Sequence, residues 1–247
     1  MDLRALLFDI NGTLIDIETD ERMEEVYRAI GHFLTYQGIS LHRGEVCDLY
    51  FQIVKEQLEA STEKYPEFDV VEAWREIVRR KGSEYTRALP PEKLQQLPAL
   101  LAELQRGISR KRLRCYPQGK EVLSQLQQRY LLAAVSDAQS TYAIPEIRAA
   151  GLQQYLDPIV VSGDYGYRKP DVRLFQHALD KLQVLPRHAI FIGNDRYRDI
   201  FGAQQLQMKT ILFCSVPAAA RPHEAEPDYV IYQLADLPKA IDVLAAR

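Results

Sequence analysis

The sequence contains little cysteine, no excess of charge of one sign and no long hydrophobic run. Its 247 residues include only three cysteines, which are widely spaced and form no Cys-x-x-Cys pair. Neither a disulfide framework nor a cysteine-rich metal site is therefore expected. The 31 Lys and Arg nearly balance the 34 Asp and Glu, which leaves a net charge of −3 at pH 7. This balance argues against the broad positive surface that nucleic-acid-binding proteins carry.

Membrane and export signals are also missing. No apolar run approaches the roughly 20 residues that span a bilayer, and Asp9 interrupts the first apolar stretch too early for a signal peptide. The five histidines show no zinc-ligand spacing such as His-x-x-x-His. We therefore expect a cytoplasmic protein with no membrane partner, no nucleic-acid partner and no zinc. Both a monomer and a homodimer are compatible with this composition.

The sequence does contain a recurring pattern of short apolar runs. With 47% hydrophobic residues, the chain can bury the core of one domain plus a smaller one. The runs end at polar residues and predict buried strands at 3–8, 130–136, 158–162, 188–193, 209–214 and 228–231. Because helical patterns separate the later runs, we predict an α/β fold with a Rossmann-like doubly wound parallel sheet. Ligands bind at the carboxyl ends of such strands, so the residues that end each run form the candidate site.

Residues 16–115 interrupt this alternation. Their apolar residues recur at helical spacing in four segments, with no convincing strand, and four such helices can bury a core among themselves. We predict an all-helical cap domain at 16–115, inserted into a core domain formed by 1–15 and 116–247. Two charged clusters are interpreted as helix ends, and the alternative for the basic one is that one or two of its residues draw an anionic substrate beneath the cap. The acidic one comprises Glu18, Asp20, Glu21, Glu24 and Glu25, and the basic one comprises Arg106, Arg110, Lys111, Arg112 and Arg114.

Chemically capable side chains lie at the ends of the predicted strands. Asp9 follows the first strand, where a carboxylate can act as a nucleophile if a cation offsets its charge. Ser136 places a hydroxyl donor at the next strand end, and Lys169 precedes a proline typical of a helix start. Asp195 and Asp199 are four residues apart beyond a later strand and can share a hard cation. Each of these features alone is compatible with an ordinary turn.

Taken in order, these segments resemble the four motifs of the haloacid dehalogenase (HAD) superfamily. The matching segments are DINGTL at 9–14, Ser136, Lys169 within YRKPD, and GNDRYRDIFGA at 193–203. The resemblance is to the phosphatase-like subgroup with a helical, C1-type cap after the first motif, although the cap matches only in length, position and helical character. It implies a Mg²⁺-dependent hydrolase acting on a small phosphorylated metabolite. Asp9 would attack phosphorus and become an aspartyl phosphate, while Ser136 and Lys169 hold the transferring oxygens.

The resemblance also implies two binding sets. Substrate is expected to contact Gly12, Thr13, Ser136, Asp137 and Lys169. The magnesium set is expected to comprise Asp9, the main-chain carbonyl of Asn11, Asp195 and Asp199, with Asp195 as the direct acidic ligand of the fourth motif and Asp199 as the support for a metal-bound water or for Lys169. Asn194 occupies the position directly after glycine that often holds the first acid of the fourth motif, so it is the alternative to Asp195 as a ligand.

Asn11 is the main departure from the family pattern. The family's phosphatases usually carry a second Asp at this position, as the general acid and base of catalysis. A carboxamide cannot transfer a proton, and loss of a positioned acid or base typically costs about 10²- to 10⁴-fold in rate. We therefore predict a slow phosphatase. The alternatives are a catalytically weakened protein that binds a phosphorylated ligand or partner, and a hydrolase of carbon–halogen or carbon–phosphorus bonds.

Overall fold

The structure, a computed structural model, describes residues 2–214 and 225–246. The chain forms two compact units. One comprises Met1–Ile17 with Leu113–Arg247, and the other comprises Glu18–Arg112. These limits lie two or three residues from the predicted domain boundaries. Across the two described ranges, no helix combines the length and apolar character needed to cross a membrane.

The first unit contains a six-stranded sheet in which every pairing is parallel. The strands of the chain are β1 (Ala5–Phe8), β2 (Ile15–Thr19), β3 (Arg110–Cys115), β4 (Leu131–Ser136), β5 (Ile159–Val161), β6 (Ala189–Gly193), β7 (Lys209–Phe213) and β8 (Tyr229–Ile231). The order in the large sheet is β5-β4-β1-β6-β7-β8, and β2 pairs with β3 separately. The predicted fold class, an α/β parallel sheet of the Rossmann-like type, is confirmed.

Helices cover both faces of this sheet. In chain order, the helices of the protein are α1 (Glu24–Tyr36), α2 (Arg43–Ala60), α3 (Val70–Lys81), α4 (Glu84–Arg87), α5 (Pro91–Ser109), α6 (Gly119–Leu126), α7 (Ser140–Ala149), α8 (Val172–Leu182), α9 (Gly202–Gln204) and α10 (Leu237–Ala245). Leu6 and Phe8 of β1 pack in one hydrophobic cluster with side chains of α6 and α10. Ala5 and Leu7 pack in a second cluster with side chains of α8. Burial on both faces explains why β1 is continuously apolar.

The second unit is helical, from α1 to α5. Trp74 lies in its core, fully buried, with its ring stacked on Tyr50 at a centroid distance of 4.9 Å. The indole Nε1 donates a hydrogen bond of 2.9 Å to Gln105 Oε1, which satisfies the polar group that this large side chain buries. Trp74 is therefore a packing residue of this unit.

The prediction that residues 16–115 contain no strand is wrong at both ends, because β2 and β3 form a two-stranded ribbon there. Acidic residues alternate along β2 and basic residues lie along β3, so opposite charges pair between the two chain segments. The ion pairs are Asp16 with Arg114, Glu18 with Arg112, and Asp20 with Lys111. The helix-end interpretation is therefore wrong for Arg110, Lys111, Arg112 and Arg114, which lie in β3, and for Glu18, which lies in β2. It agrees with the structure for Arg106 in the last turn of α5 and for Glu24 and Glu25 in the first turn of α1.

Candidate active site

The site is built at the carboxyl edge of the parallel sheet. β1 lies between β4 and β6, with Phe8 in register with Ala134 and Ile192. Asp9 follows β1 directly and Ser136 ends β4, so both emerge at the same edge. This edge is where ligands bind in open α/β sheets, because the loops that leave the strands diverge there.

A buried lysine links two carboxylates at this edge. Lys169 Nζ donates hydrogen bonds to Asp9 Oδ1 at 2.6 Å, to Asp199 Oδ1 at 2.7 Å and to the Val135 carbonyl at 3.1 Å. Burial by itself lowers the pKa of Lys169, but the charges of Asp199 and Asp9 outweigh burial and raise that pKa above its ordinary value. The lysine is therefore a fixed cation at neutral pH, and it offsets the charge of the carboxylate beside it.

The loop after Asp9 holds the second oxygen of this carboxylate. Thr13 Oγ1 lies 2.9 Å from Asp9 Oδ2 and 3.2 Å from Asn194 Oδ1, so one hydroxyl hydrogen is shared between the two oxygens. The Gly12 amide donates to the Ile15 carbonyl at 2.8 Å, and the Thr13 amide donates to the Ile10 carbonyl at 3.2 Å. The predicted substrate contacts of Gly12 and Thr13 therefore cannot come from these amides, which the turn itself uses. Thr13 instead orients Asp9.

Gly12 is required by its backbone and by its neighbour. Its φ of +86° lies in the left-handed region that favours glycine. A Cβ atom there would also collide with the carboxamide of Asn194.

Within residues 9–15, all of which the structure describes, the amides of Ile10 and Asn11 donate no hydrogen bond. These two donors were missed from sequence, because only the turn geometry shows which amides remain available.

Ser136 ends β4 and Asp137 follows it, and their side chains differ in whether they have hydrogen-bond partners. Ser136 Oγ is buried and has no hydrogen-bond partner among the described residues. Asp137 Oδ1 accepts the Lys169 amide at 2.9 Å, so Asp137 fixes the backbone that carries the lysine. Burial raises the pKa of Asp137, with the charge of Lys169 acting in the opposite direction. A buried hydroxyl without a partner costs free energy, which a ligand oxygen would recover.

The fourth motif uses its first acid as a helix cap. Asp195 precedes a π-helical turn, Arg196–Phe201, and its Oδ1 accepts the amides of Tyr197 at 2.9 Å and Arg198 at 2.7 Å. Its Oδ2 accepts Arg198 Nε at 3.0 Å. Burial would raise the pKa of Asp195, but these contacts to Arg198 hold it below its usual value. The predicted preference for Asp195 over Asn194 as a metal ligand conflicts with this geometry, since the carboxylate is committed to helix amides.

Asp199 has both of its oxygens occupied as well. Oδ1 accepts Lys169 Nζ, while Oδ2 accepts the amides of Asn194 and Asp195, each at 3.0 Å. Burial raises the pKa of Asp199, and the adjacent Lys169 ammonium opposes that shift. The three donors keep the carboxylate ionised at neutral pH. Asp199 therefore positions Lys169 and the fourth-motif loop, and neither of its oxygens is free to contact a metal directly.

Oxygen donors for a hard cation are present beside Asp9, although they include few carboxylates. No group of three His, Cys, Asp or Glu side chains suited to a metal occurs within residues 2–214 and 225–246. Asp9 Oδ2 and Asn194 Oδ1 nevertheless lie close together, because both contact the Thr13 hydroxyl. Asn11, two residues after Asp9 in the same loop, offers a main-chain carbonyl as a further hard oxygen donor. Magnesium commonly binds proteins through one or two carboxylates and completes its shell with waters and substrate phosphate, so this set fits Mg²⁺.

These features define an α/β core domain that carries a buried Asp9–Lys169–Asp199 cluster at the carboxyl edge of its sheet, with a helical unit inserted after the first strand of that sheet. Residues 6–213 match the family described as haloacid dehalogenase-like hydrolases. Since this match covers most of the chain, the protein belongs to the haloacid dehalogenase-like hydrolase family and is a HAD-like hydrolase.

Curated relatives of the chain include several phosphatases. It is 26% identical over 236 residues to a glyceraldehyde 3-phosphate phosphatase of Methanothermobacter thermautotrophicus, with 92% of this chain and 91% of the relative covered. It is 28% identical over 193 residues to a phosphoserine phosphatase of Thermus thermophilus, with 73% and 72% covered. The crystal structure of a 2-haloacid dehalogenase from Pseudomonas syringae superposes with a TM-score of 0.74 at 20% identity, covering 98% of this chain and 99% of that one. At this identity, the superposition supports the fold alone.

Proposed function

We propose that this protein is a phosphatase of a small phosphorylated metabolite and that Asp9 is its nucleophile. The observation that carries the proposal is the buried contact between Asp9 and Lys169, 2.6 Å long, beside the unpartnered hydroxyl of Ser136. A carboxylate oxygen of Asp9 attacks phosphorus, the bond from phosphorus to the leaving oxygen breaks, and an aspartyl phosphate forms. Water then attacks the phosphorus of this intermediate and releases inorganic phosphate, which restores the Asp9 carboxylate.

The residues around Asp9 have separate tasks in this reaction. Lys169 offsets the negative charge of Asp9, so that an anionic phosphoryl group can approach it. Ser136 Oγ and the free amides of Ile10 and Asn11 donate hydrogen bonds to the phosphoryl oxygens. Thr13 holds the orientation of the Asp9 carboxylate through the contact of 2.9 Å.

The cation site belongs to the same proposal. Asp9, the Asn11 carbonyl and the side-chain oxygen of Asn194 would hold Mg²⁺, with Asn194 taking the place predicted for Asp195. When bound, the metal supplies positive charge between a carboxylate and a phosphate that otherwise repel each other.

A direct test is a panel of phosphate monoesters that includes glyceraldehyde 3-phosphate and phosphoserine. Lys169 and Ser136 would contact the phosphoryl group, which all members of the panel share. We therefore expect phosphate release with Mg²⁺ from at least one of these esters. We expect EDTA to abolish that release and added Mg²⁺ to restore it. Phosphate release that is insensitive to EDTA would contradict the metal site, and the absence of release from the whole panel would favour a protein that binds phosphorylated ligands without turnover.

Asn11 bears on whether the protein turns phosphate esters over or only binds them, because its carboxamide cannot transfer a proton. Substitution of this residue therefore supplies a second test. The Asn11→Asp variant introduces a carboxyl group that can protonate the leaving oxygen and deprotonate water, so we expect kcat to rise about 100-fold, the lower end of general acid–base effects. Steady-state kinetics on the best panel substrate measures the change. Protonation of the leaving oxygen contributes only with the monoester, because the leaving group of an acyl phosphate such as acetyl phosphate needs no proton. A larger gain for the monoester would therefore assign the effect to the leaving group, and an equal gain would assign it to deprotonation of the water that hydrolyses the aspartyl phosphate. No gain with either substrate would contradict a proton-transfer role at this position.

A further inference from the structure

The donors around Asp9 carry little negative charge for a divalent cation. Lys169 bridges Asp9 and Asp199 through contacts of 2.6 and 2.7 Å, so these three groups together have a net charge of −1. Asp195 does not add to the donor set, because it caps the helical turn and contacts Arg198. Asp137 Oδ1 accepts the Lys169 amide, and Asp137 Oδ2, which has no hydrogen-bond partner within the described part of the chain, has the charge of Arg198 at 3.8 Å to offset it. The donors beside Asp9 are therefore one carboxylate oxygen of Asp9 itself and two neutral amide oxygens.

The shortage of negative charge arises at one ligand in particular, the neutral side chain of Asn194. Its Oδ1 lies 3.2 Å from Thr13 Oγ1, which also contacts Asp9 Oδ2, and its carboxamide lies against Gly12. The side chain is therefore held at the cation position, but it offers a neutral oxygen. Exchange of this amide for a carboxylate would add one negative charge at almost unchanged shape.

We propose that Mg²⁺ and the phosphoryl group bind to this site as a mutually dependent pair, because Asn194 leaves the protein short of charge that the phosphate supplies. The inference rests on the proposed function, since it assumes that a phosphoryl group occupies the space beside Asp9. A phosphate dianion brings negative charge and hard oxygen donors to the cation. The cation in turn reduces the repulsion between phosphate and Asp9.

Thermodynamic linkage makes this proposal quantitative. If phosphate lowers the Kd of Mg²⁺ by some factor, Mg²⁺ must lower the Kd of phosphate by the same factor. We expect a factor of at least about tenfold, within the range of roughly 5- to 150-fold that is typical of coupled sites. At low phosphate the wild-type protein therefore holds little metal, and the metal enters together with the phosphorylated ligand.

The first experiment uses the wild-type protein and isothermal titration calorimetry. Mg²⁺ is titrated into the protein with and without saturating inorganic phosphate, and inorganic phosphate is titrated with and without Mg²⁺, at constant pH and ionic strength. Blank titrations correct for the complex that Mg²⁺ and phosphate form in solution. We expect both Kd values to fall by the same factor of about ten or more when the other ligand is present.

The second experiment uses Asn194→Asp, with Gln128→Glu as the matched control. Both variants add one negative charge, but Gln128 is exposed and precedes β4 at the opposite end of that strand from Ser136. In Asn194→Asp we expect the Kd of Mg²⁺ without phosphate to fall on the order of tenfold, and the coupling factor to shrink, since the protein now supplies the charge. Gln128→Glu should leave both quantities at their wild-type values.

The outcomes separate this inference from the function on which it rests. A Kd of Mg²⁺ that is the same with and without phosphate would overturn the inference and leave the phosphatase proposal intact. Binding of phosphate with no detectable binding of Mg²⁺, in either the presence or the absence of phosphate, would overturn the inference together with the metal site. Failure of phosphate to bind under any condition would instead overturn the proposed function. The wild-type titrations decide between these outcomes even if Asn194→Asp does not fold.

Discussion

The Asp9→Asn variant should lose activity by about 10⁴-fold or more in kcat, because a carboxamide cannot attack phosphorus in place of a carboxylate. Its fold should persist. The substitution keeps the shape of the side chain. The new carboxamide oxygen can accept from Lys169, which retains Asp199 as its charged partner at 2.7 Å, while the carboxamide nitrogen donates to the Thr13 hydroxyl. Phosphate release from the best panel substrate measures the loss, and circular dichroism with thermal unfolding checks the fold.

Asp242→Asn is a matched control for this variant. Asp242 is an exposed residue of α10 that pairs with Arg129 at 3.2 Å, so the same chemical change there removes only a surface ion pair. Such pairs contribute about 1 kcal/mol or less, and kcat should stay within a factor of two of wild type, as is usual for a distant surface change. Wild-type activity in Asp9→Asn would assign the nucleophile to another residue and refute the aspartyl-phosphate mechanism.

The parallel sheet could be predicted from sequence because a strand that is buried on both faces must be apolar at every position. In β1 every side chain from Ala5 to Phe8 is fully buried, which requires the uninterrupted apolar run that the sequence shows. The ribbon of β2 and β3 has no such continuous apolar run. Its alternating charges are satisfied by partners nearly 100 residues away, such as Arg114 for Asp16, and local reading assigned them to helix ends instead.

The candidate site shows the same division between local and distant information. Asp9 and Lys169 were identifiable because motifs and strand ends mark them, and the structure brings them into contact. The ligand preference for Asp195 rested on its spacing from Asp199. That spacing does not reveal that a π-helical turn begins at Arg196 and uses the Asp195 carboxylate as its cap. Nor does it reveal that the Thr13 hydroxyl draws Asn194 towards Asp9.

The Lys169→Met variant should be less stable than wild type by about 3–5 kcal/mol, as expected when one partner of a buried ion pair is removed. Methionine fills much of the same volume but leaves Asp9 and Asp199, which are 5% and 1% exposed, without their shared cation. The activity should also be lost, because nothing then offsets the charge of Asp9 as a phosphoryl group approaches. Urea unfolding measures the stability, and Lys209→Met is the control because its ion pair with Asp228 is half exposed.

The stability of Lys169→Met should also depend on pH in a defined direction. In the wild-type protein, burial and the charge of Asp9 raise the pKa of Asp199, and Lys169 opposes them. Removal of the lysine leaves only the backbone amides to hold this pKa down, so it rises further. The folded variant then takes up a proton at a pH where the unfolded chain remains ionised. Because the folded state binds more protons, the stability of the variant must rise as the pH falls from neutral towards the raised pKa, and its deficit relative to wild type must shrink. Urea midpoints between about pH 7.5 and pH 5 test this trend. A deficit that stays constant over that range would mean that Asp9 and Asp199 are not two buried negative charges held by one lysine. The Asp9–Lys169–Asp199 contact would then not be the ionic centre on which the proposed chemistry depends.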